Sequence, residues 1–396
     1  MNVVFISPNF PIYYYNFCDR LKQRGINVLG IGDCRYDKLP KQTIDSLTEY
    51  YRVDDLEDYE SVYRACAYFT WKYGKIDWIE SENEYWLELE ANLRTDFNVT
   101  TGPKIQDMSY IKYKSKMKEI YASVGIPTAK YHLVNDYEST KWFANEIGYP
   151  VIVKPDNGVG ASSTYKLNND DELDYFFATK NPRIHFIMEE IVPGHVETFD
   201  GITNQQGDIL ICSSHVMLNS IMDNVNENKD TVFYSQPIED LDLYKIGQKA
   251  LKAFQTKGRF FHFEFFRLDQ DKQGLGKKND IVGLEVNMRA PGAFIPEIMN
   301  FTYNVDVYTI FADMIKYNKC FYDIKRQYYV GYAGRRLNVN YVHNYEDIRQ
   351  KYNGDIVLEA QVDEVLAGAM GNHVFIVRSK NHDELIDMLK YILEKC

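Results

Sequence analysis

Glu285, Asn287 and Arg289 recur at every second position of IVGLEVNMRAPGA, residues 281–293. On an extended chain that spacing turns all three to one side, with Leu284 and Val286 on the other. Upstream, GRFFHFEFFRL (258–268) alternates in the same way: Phe261, Phe263 and Phe265 share one face, and His262, Glu264 and Phe266 the other. The segment between them, DQDKQGLGKKND, is turn-rich, so the spacing predicts an antiparallel hairpin in which Glu264 meets Glu285. Facing carboxylates repel unless a cation lies between them. Two carboxylates and an amide oxygen form an oxygen-only donor set, suited to Mg²⁺ that carries nucleotide phosphates. The same residues equally fit an exposed sheet face with ordinary surface charges.

Three further segments carry chemistry of a compatible kind. KYKSKMK (112–118) places Lys112, Lys114, Lys116 and Lys118 on a predicted helix, where most of them are expected to solvate the surface. Lys154 ends the apolar strand VIVKP, a setting in which a lysine either snorkels to solvent or faces a buried anion. The small, flexible run after it, 157–163, offers backbone N–H groups that can cover phosphates, although it lacks the Gly-Lys-Ser/Thr ending of a P-loop; an ordinary hairpin is the alternative. FIMEEIVPGHVETFDG (186–201) is a strand entering a Pro-Gly turn, with Glu189, Glu190 and Glu197 as its acidic points.

These segments need elements to hold them. The first hundred residues alternate strand (3–7, 27–31, 77–80) and helix (14–24, 59–73, 85–93), which implies a parallel sheet. No G-x-G-x-x-G follows the first strand, so a dinucleotide site is unsupported, whereas the turn at 8–11 and Glu82–Glu84 lie where such sheets bind ligands. A linker near 101–103 closes this domain. A single helix is expected over 105–124, strands over 129–134, 150–154 and 185–190, a hairpin over 196–216, and a helix over 240–255 ahead of the carboxylate hairpin. Strands near 327–332 and 373–378 and a helix over 383–395 complete the chain.

The 396 residues carry a net charge of −12, which argues against nucleic acid or an acidic membrane as the main partner. Six scattered cysteines show no zinc spacing, no apolar run approaches a membrane span, and the first ten residues lack a signal-peptide pattern. A reduced, cytoplasmic protein is the simplest reading. The aromatic content of 15%, mostly tyrosine, has no functional account.

The order of the motifs adds a further signal. A helix lysine ahead of a glycine, a strand lysine with a glycine loop, an M-E-E-x-x-x-G turn and a paired E…E-x-N-x-R hairpin resemble, in succession, the ATP-grasp superfamily of carboxylate–amine ligases. That superfamily includes L-amino acid ligases, D-alanine–D-alanine ligase and the biotin carboxylase core. The resemblance covers about residues 3–318 and implies an α/β (α+β) chain: a Rossmann-like domain (1–103), a two-lobed ATP-grasp domain (104–324, lid about 128–192) and a small C-terminal subdomain (325–396). It implies ATP and two Mg²⁺ ions as cofactors, with Mn²⁺ able to substitute, and by analogy a homodimer. Lys114, eleven residues before Gly125, matches the first phosphate lysine, with Lys116 as its competitor. Lys154 matches the second, and the loop with Gly158, Gly160, Ser162 and Ser163 the one that closes over ATP. Glu189, Glu190 and the Ile191 backbone match the adenine hinge and Glu197 the ribose carboxylate, although the turn before Glu197 is one residue longer than the common form. Glu264, Glu285 and Asn287 match the metal ligands, and Arg289 the group facing the transferred phosphoryl. His215 lies near a position sometimes used for substrate or phosphate. Arg335 and Arg336 are candidates for a substrate carboxylate, or else surface arginines. The implied reaction joins a small-molecule carboxylate, such as an amino acid, to an amine through an acyl phosphate, releasing ADP and phosphate. A purine-pathway or carboxylase-like enzyme, and a nucleotide-binding regulatory protein without catalysis, are the alternatives.

Overall fold

A computed structural model describes residues 1–158, 163–218, 229–238 and 242–396. Strands β1 (Asn2–Ile6), β2 (Asn27–Gly32), β3 (Glu49–Arg52) and β4 (Trp78–Glu80) form a parallel sheet in the order β3-β2-β1-β4. Strand β1 is apolar at nearly every position because helices cover both of its faces. Val3 and Phe5 pack with Phe17, Cys18 and Leu21 of the helix Tyr15–Gln23. Val4 and Ile6 pack with Val62, Ala65, Cys66 and Phe69 of the helix Tyr59–Tyr73. The chain changes direction between β1 and β4, and the turns leaving those two strands hold Ser7 and Glu82 at φ 54° and 55°. Left-handed backbone at two non-glycine residues beside a topological switch point marks a place where function competes with local preference.

The linker runs over a buried cluster in which Arg94 pairs with Glu80 (3.0 Å) and Glu90 (2.7 Å), and Arg259 approaches Glu80 (3.4 Å). Gly102 there has φ +79°, and a Cβ would stand 2.6 Å from Arg259 Nη2 and 2.8 Å from Arg94 Nε. Gly102→Ala is therefore expected to cost about 2 kcal/mol or more, read as a lowered urea midpoint, because it combines backbone strain with overpacking of charged groups that have nowhere to move.

Strands β5 (Tyr131–Leu133), β6 (Val151–Pro155), β7 (Tyr165–Leu167) and β8 (Phe186–Glu190) make an antiparallel sheet in the order β5-β8-β6-β7. It has its own core, with Phe143, Val151, Val153, Leu173, Phe176 and Met188. The largest sheet is antiparallel and joins β9 (Gly194–Thr203), β10 (Ile209–Met217), β11 (Thr231–Gln236), β12 (Arg259–Leu268), β13 (Ile281–Asn287), β14 (Tyr329–Arg335), β15 (Ile356–Gln361) and β16 (His373–Ser379). Its order is β13-β12-β9-β10-β11-β14-β16-β15. The segment from 325 onward thus extends the same sheet and is sealed by the helix His382–Leu393, whose Leu385, Leu389 and Ile392 pack on Ala333, Phe375 and Val377.

The expected single helix over 105–124 is instead two, Met108–Lys112 and Lys114–Ser123, separated by Tyr113 in an extended conformation (φ −95°, ψ 118°). Asp156 is the cause. Its carbonyl accepts from Lys114 N (2.9 Å), and its carboxylate from Ser115 N and Ser115 Oγ (2.8 Å each). A capping carboxylate from another strand restarts the helix one residue on.

Candidate active site

β12 and β13 pair with Glu264 opposite Glu285 and His262 opposite Asn287. The phenylalanine face of β12 is buried with Val286 against Met117, Tyr121, Leu243 and Phe254. That burial fixes which face the carboxylates occupy, because a one-residue slip would invert the hairpin. Glu264 and Glu285 keep 17% and 19% side-chain exposure, enough to meet a ligand, and Asn287 is buried beside them.

Each carboxylate makes a direct ion pair with one cationic side chain among the described residues. Lys114 Nζ lies 3.2 Å from Glu285 Oε1, and His262 Nε2 lies 3.2 Å from Glu264 Oε1. Burial alone would lower the His262 pKa, but the Asp200 carboxylate against Nδ1 prevails and pushes it up to about 9. Asp200 is buried between two histidines, His262 and His215 (2.8 Å), which hold it below the usual carboxylate range against its burial. His215 is fully buried beneath the site and packed edge-on to Phe233, and its Nε2 has no hydrogen-bond partner among the described residues.

The lysine helix differs from its expected role as a solvated surface. Lys112, Lys114 and Lys118 are buried; Lys116 alone of the four is exposed, paired with Glu119 at 2.7 Å. Lys116 therefore faces away from the cleft that Lys114 enters. Lys114 and Lys118, four residues apart, share one helical face. Glu189 receives Lys118 Nζ at 3.1 Å and Lys154 Nζ at 3.0 Å. Burial would raise the Glu189 carboxyl, yet the two ammonium groups outweigh it and bring it down to about 2. Lys114 also donates to the Gly158 carbonyl (3.2 Å), at the start of the glycine-containing loop. Gly160 and Ser162 lie outside the described residues; Ser163 is exposed with φ 57°.

Glu190 accepts from Lys130 N (2.8 Å) and pairs with Lys272 (3.0 Å), which also donates to the Ile191 carbonyl. Glu197 is clasped by Arg267 through Nε (2.7 Å) and Nη2 (2.9 Å) and approached by His195 (3.5 Å). Burial opposes ionisation of Glu197, but these partners hold its pKa below normal. Arg289 Nη2 pairs with Glu84 (2.6 Å), and its Nη1 donates to the Ala290 carbonyl (2.8 Å). The next amide, Ala290 N, donates to Glu82 (2.6 Å), whose carboxyl is pushed up to about 8 by burial and then by nearby Glu80. Ala293 and Phe294 follow in consecutive left-handed conformations (φ 54° and 58°). The turns of the first domain thus reach the Arg289 loop. Arg335 and Arg336 are buried rather than superficial: Arg335 lies over Tyr341 (3.7 Å), and Arg336 donates to the Lys229, Ala367 and Gly368 carbonyls. Strand β14 is separated from β12 by three strands, so the sheet does not bring these arginines beside the carboxylate hairpin.

Contributors not singled out from the sequence include Lys118, Asp156, Asp200, Arg267 and Lys272. Lys118 had a signal, its i, i+4 relation to Lys114. Asp156 and Asp200 had none, since their partners are 41 and 62 residues away. Asp156→Ala should release the first turn of the lysine helix and lower stability by about 1–2 kcal/mol, read as a lowered urea midpoint. An unchanged midpoint would show that the helix start is held by other means.

Comparison with known proteins accords with this geometry. Residues 111–191 match the family model described as carbamoyl-phosphate synthase L chain, ATP binding domain. The chain is 26% identical over 270 residues to the L-arginine-specific L-amino acid ligase of Bacillus subtilis, covering 65% of this chain and 62% of that protein. It is 36% identical over 80 residues to the carbamoyl phosphate synthase large chain of Agathobacter rectalis, covering 20% of this chain and 8% of that one. The matches thus span less than two thirds of these relatives' lengths. Among solved structures, an L-amino acid ligase from Bacillus licheniformis superposes with a TM-score of 0.72 at 16% identity, covering 99% of this chain and 96% of that one. The biotin carboxylase domain dimer of Hydrogenobacter thermophilus 2-oxoglutarate carboxylase, in complex with MgADP, ADP and bicarbonate, gives 0.70 at 16% identity, covering 98% and 88%. The chain carries the ATP-grasp fold.

Proposed function

We propose that the protein is an ATP-dependent ligase that joins the carboxylate of an amino acid or related acid to an amine. The observation that carries this reading is the position of Lys114, whose ammonium touches both Glu285 of the carboxylate hairpin and the carbonyl of Gly158. The proposed metal ligands and the start of the proposed phosphate loop thereby meet at one cation. The oxygen-only set of Glu264, Glu285 and Asn287 fits Mg²⁺, with Mn²⁺ as a substitute, and two ions would supply charge neutralisation for the ATP phosphates.

In this reading Lys114 and Lys154 hold the phosphates, Glu189, Glu190 and the Ile191 backbone flank the adenine, and Glu197 faces the ribose. A substrate carboxylate oxygen attacks the γ-phosphorus in line, the bond to ADP breaks, and an acyl phosphate results. Arg289, preset by Glu84, stabilises charge on that acyl phosphate. The amine then attacks the acyl carbon and inorganic phosphate leaves. The Bacillus subtilis relative and the superposed ligase support amide-bond formation as the outcome. The dimeric biotin carboxylase domain supports a homodimer, and six free cysteines support a cytoplasmic setting.

The test is release of ADP and phosphate from MgATP against a pairwise panel of amino acids, other small carboxylates and amines. Release that requires both a carboxylate and an amine is expected. MgATP binding with no release across the panel would favour a regulatory nucleotide-binding protein.

A further inference from the structure

Between the first domain and the start of the glycine-containing loop lies a cleft of about 710 Å³, within the range of small-molecule sites. One wall adjoins the candidate active site. Gly158 lines it and accepts from Lys114, and Lys112 lines it and donates to the Glu84 carbonyl (3.3 Å), the residue that holds Arg289. The opposite wall is aromatic and acidic, with Tyr59, Tyr85, Trp86, Glu57 and Glu88. The Tyr85 and Trp86 rings meet edge-to-face at 4.7 Å, and Tyr85 is 52% exposed.

The two carboxylates of this wall have neutral hydrogen-bond partners among the described residues. Glu57 accepts from the Tyr85 hydroxyl, and Glu88 from Asn157 Nδ2 at 3.3 Å. Neither forms an ion pair among the described residues, whereas Glu84, Glu189, Glu190, Glu197, Glu264 and Glu285 around the reaction centre all do. Among the described lining residues the one cation, Lys112, is buried and donates to the Glu84 carbonyl. Lys112 is also within electrostatic reach of Glu88, so the lining carries two carboxylates against one ammonium. Excess negative charge beside exposed aromatic faces, in a concavity bounded by Gly158, forms a recognition surface for an organic cation.

We propose that this cleft receives the cationic side chain, guanidinium or ammonium, of an amino-acid substrate, so that the enzyme selects basic substrates. The proposal rests on the ligase reading for the identity of the occupant, but its physical content is a cation site and can be tested without turnover. The probes are L-arginine and L-citrulline, which match in shape and differ in charge at the side-chain terminus. Isothermal titration of the full chain, with and without MgADP, is expected to show arginine binding at least about tenfold tighter than citrulline. The double variant Glu57→Gln, Glu88→Gln keeps volume and hydrogen bonding at two partly exposed positions, and should bring arginine down to the citrulline level. Equal affinity for the two probes, no arginine binding, or a preference that survives the double variant would each overturn the cation site. A charge preference that is present and lost in the double variant, together with no phosphate release across the substrate panel, would uphold the site and count against the ligase reading.

Discussion

Glu285→Ala is expected to reduce ATP turnover by about a thousandfold or more while leaving the protein folded. Glu285 faces Glu264 across the hairpin and contacts Lys114, so the change removes one of two carboxylates and the partner of the proposed phosphate lysine together. Its side chain retains 19% exposure on the face opposite the buried Val286, so the hairpin, fixed by its phenylalanine face, should persist. The cost to stability falls on Lys114, which keeps the Gly158 carbonyl and the more distant Glu84 and Glu189 but loses its nearest counter-charge. Phosphate release, circular dichroism and MgATP binding measured on the same preparation separate these effects. Glu285→Gln, which keeps shape and removes charge, should be nearly as inactive. Full activity in either variant would remove Glu285 from the metal set and with it the strongest reason for placing phosphoryl transfer at this hairpin.

The hairpin was legible because all of its information is local. Period-two alternation runs through both strands, a turn-rich segment joins them, and the apolar faces can pack in only one register. The parallel sheet of the first domain was legible for the same reason. What escaped the sequence depends on partners distant along the chain. The break at Tyr113 is imposed by Asp156 from the end of β6, and helix periodicity alone runs straight through it. Arg289 takes its orientation from Glu84, 205 residues earlier, and Glu197 is held by Arg267, 70 residues later. The placement of the C-terminal strands was hidden in another way. β11 (TVFYSQ) alternates cleanly, yet it was not read as a strand, and without it nothing links β10 to β14 or shows that 325–396 continues the large sheet. The lysine helix was misread for want of one step: positions 114 and 118 lie on one face, 116 on another, and only the first pair can enter a cleft together.

Glu189→Gln should be the most destabilising single change in the site, by about 3 kcal/mol near neutral pH. Glu189 is buried, and its carboxylate is the shared partner of Lys118 and Lys154. An amide retains hydrogen bonding but leaves two ammonium groups in a low-dielectric pocket without their shared carboxylate, with only the more distant Glu190 acting on Lys118. Lys118, whose pKa burial already draws below the usual lysine range, is the one to give up its proton. The pH dependence distinguishes this from a simple packing defect. The Glu189 carboxyl sits at about 2 in the folded protein against 4.5 as its ordinary value. A lowered folded-state pKa gives stability that is complete above the ordinary value and is lost as pH falls toward the folded value. The wild-type advantage over the variant should therefore be full at about pH 6 and shrink steadily below about pH 4.5. Urea midpoints of both proteins across that range would show it, and a gap that stays constant with pH would mean that the carboxylate charge is not what stabilises the pocket. Lys118→Met, alone and combined with Glu189→Gln, completes the cycle. If Lys118 is the strained partner, the second change should restore part of what the first removes, while Lys154, the more exposed lysine, stays charged and available to a phosphate.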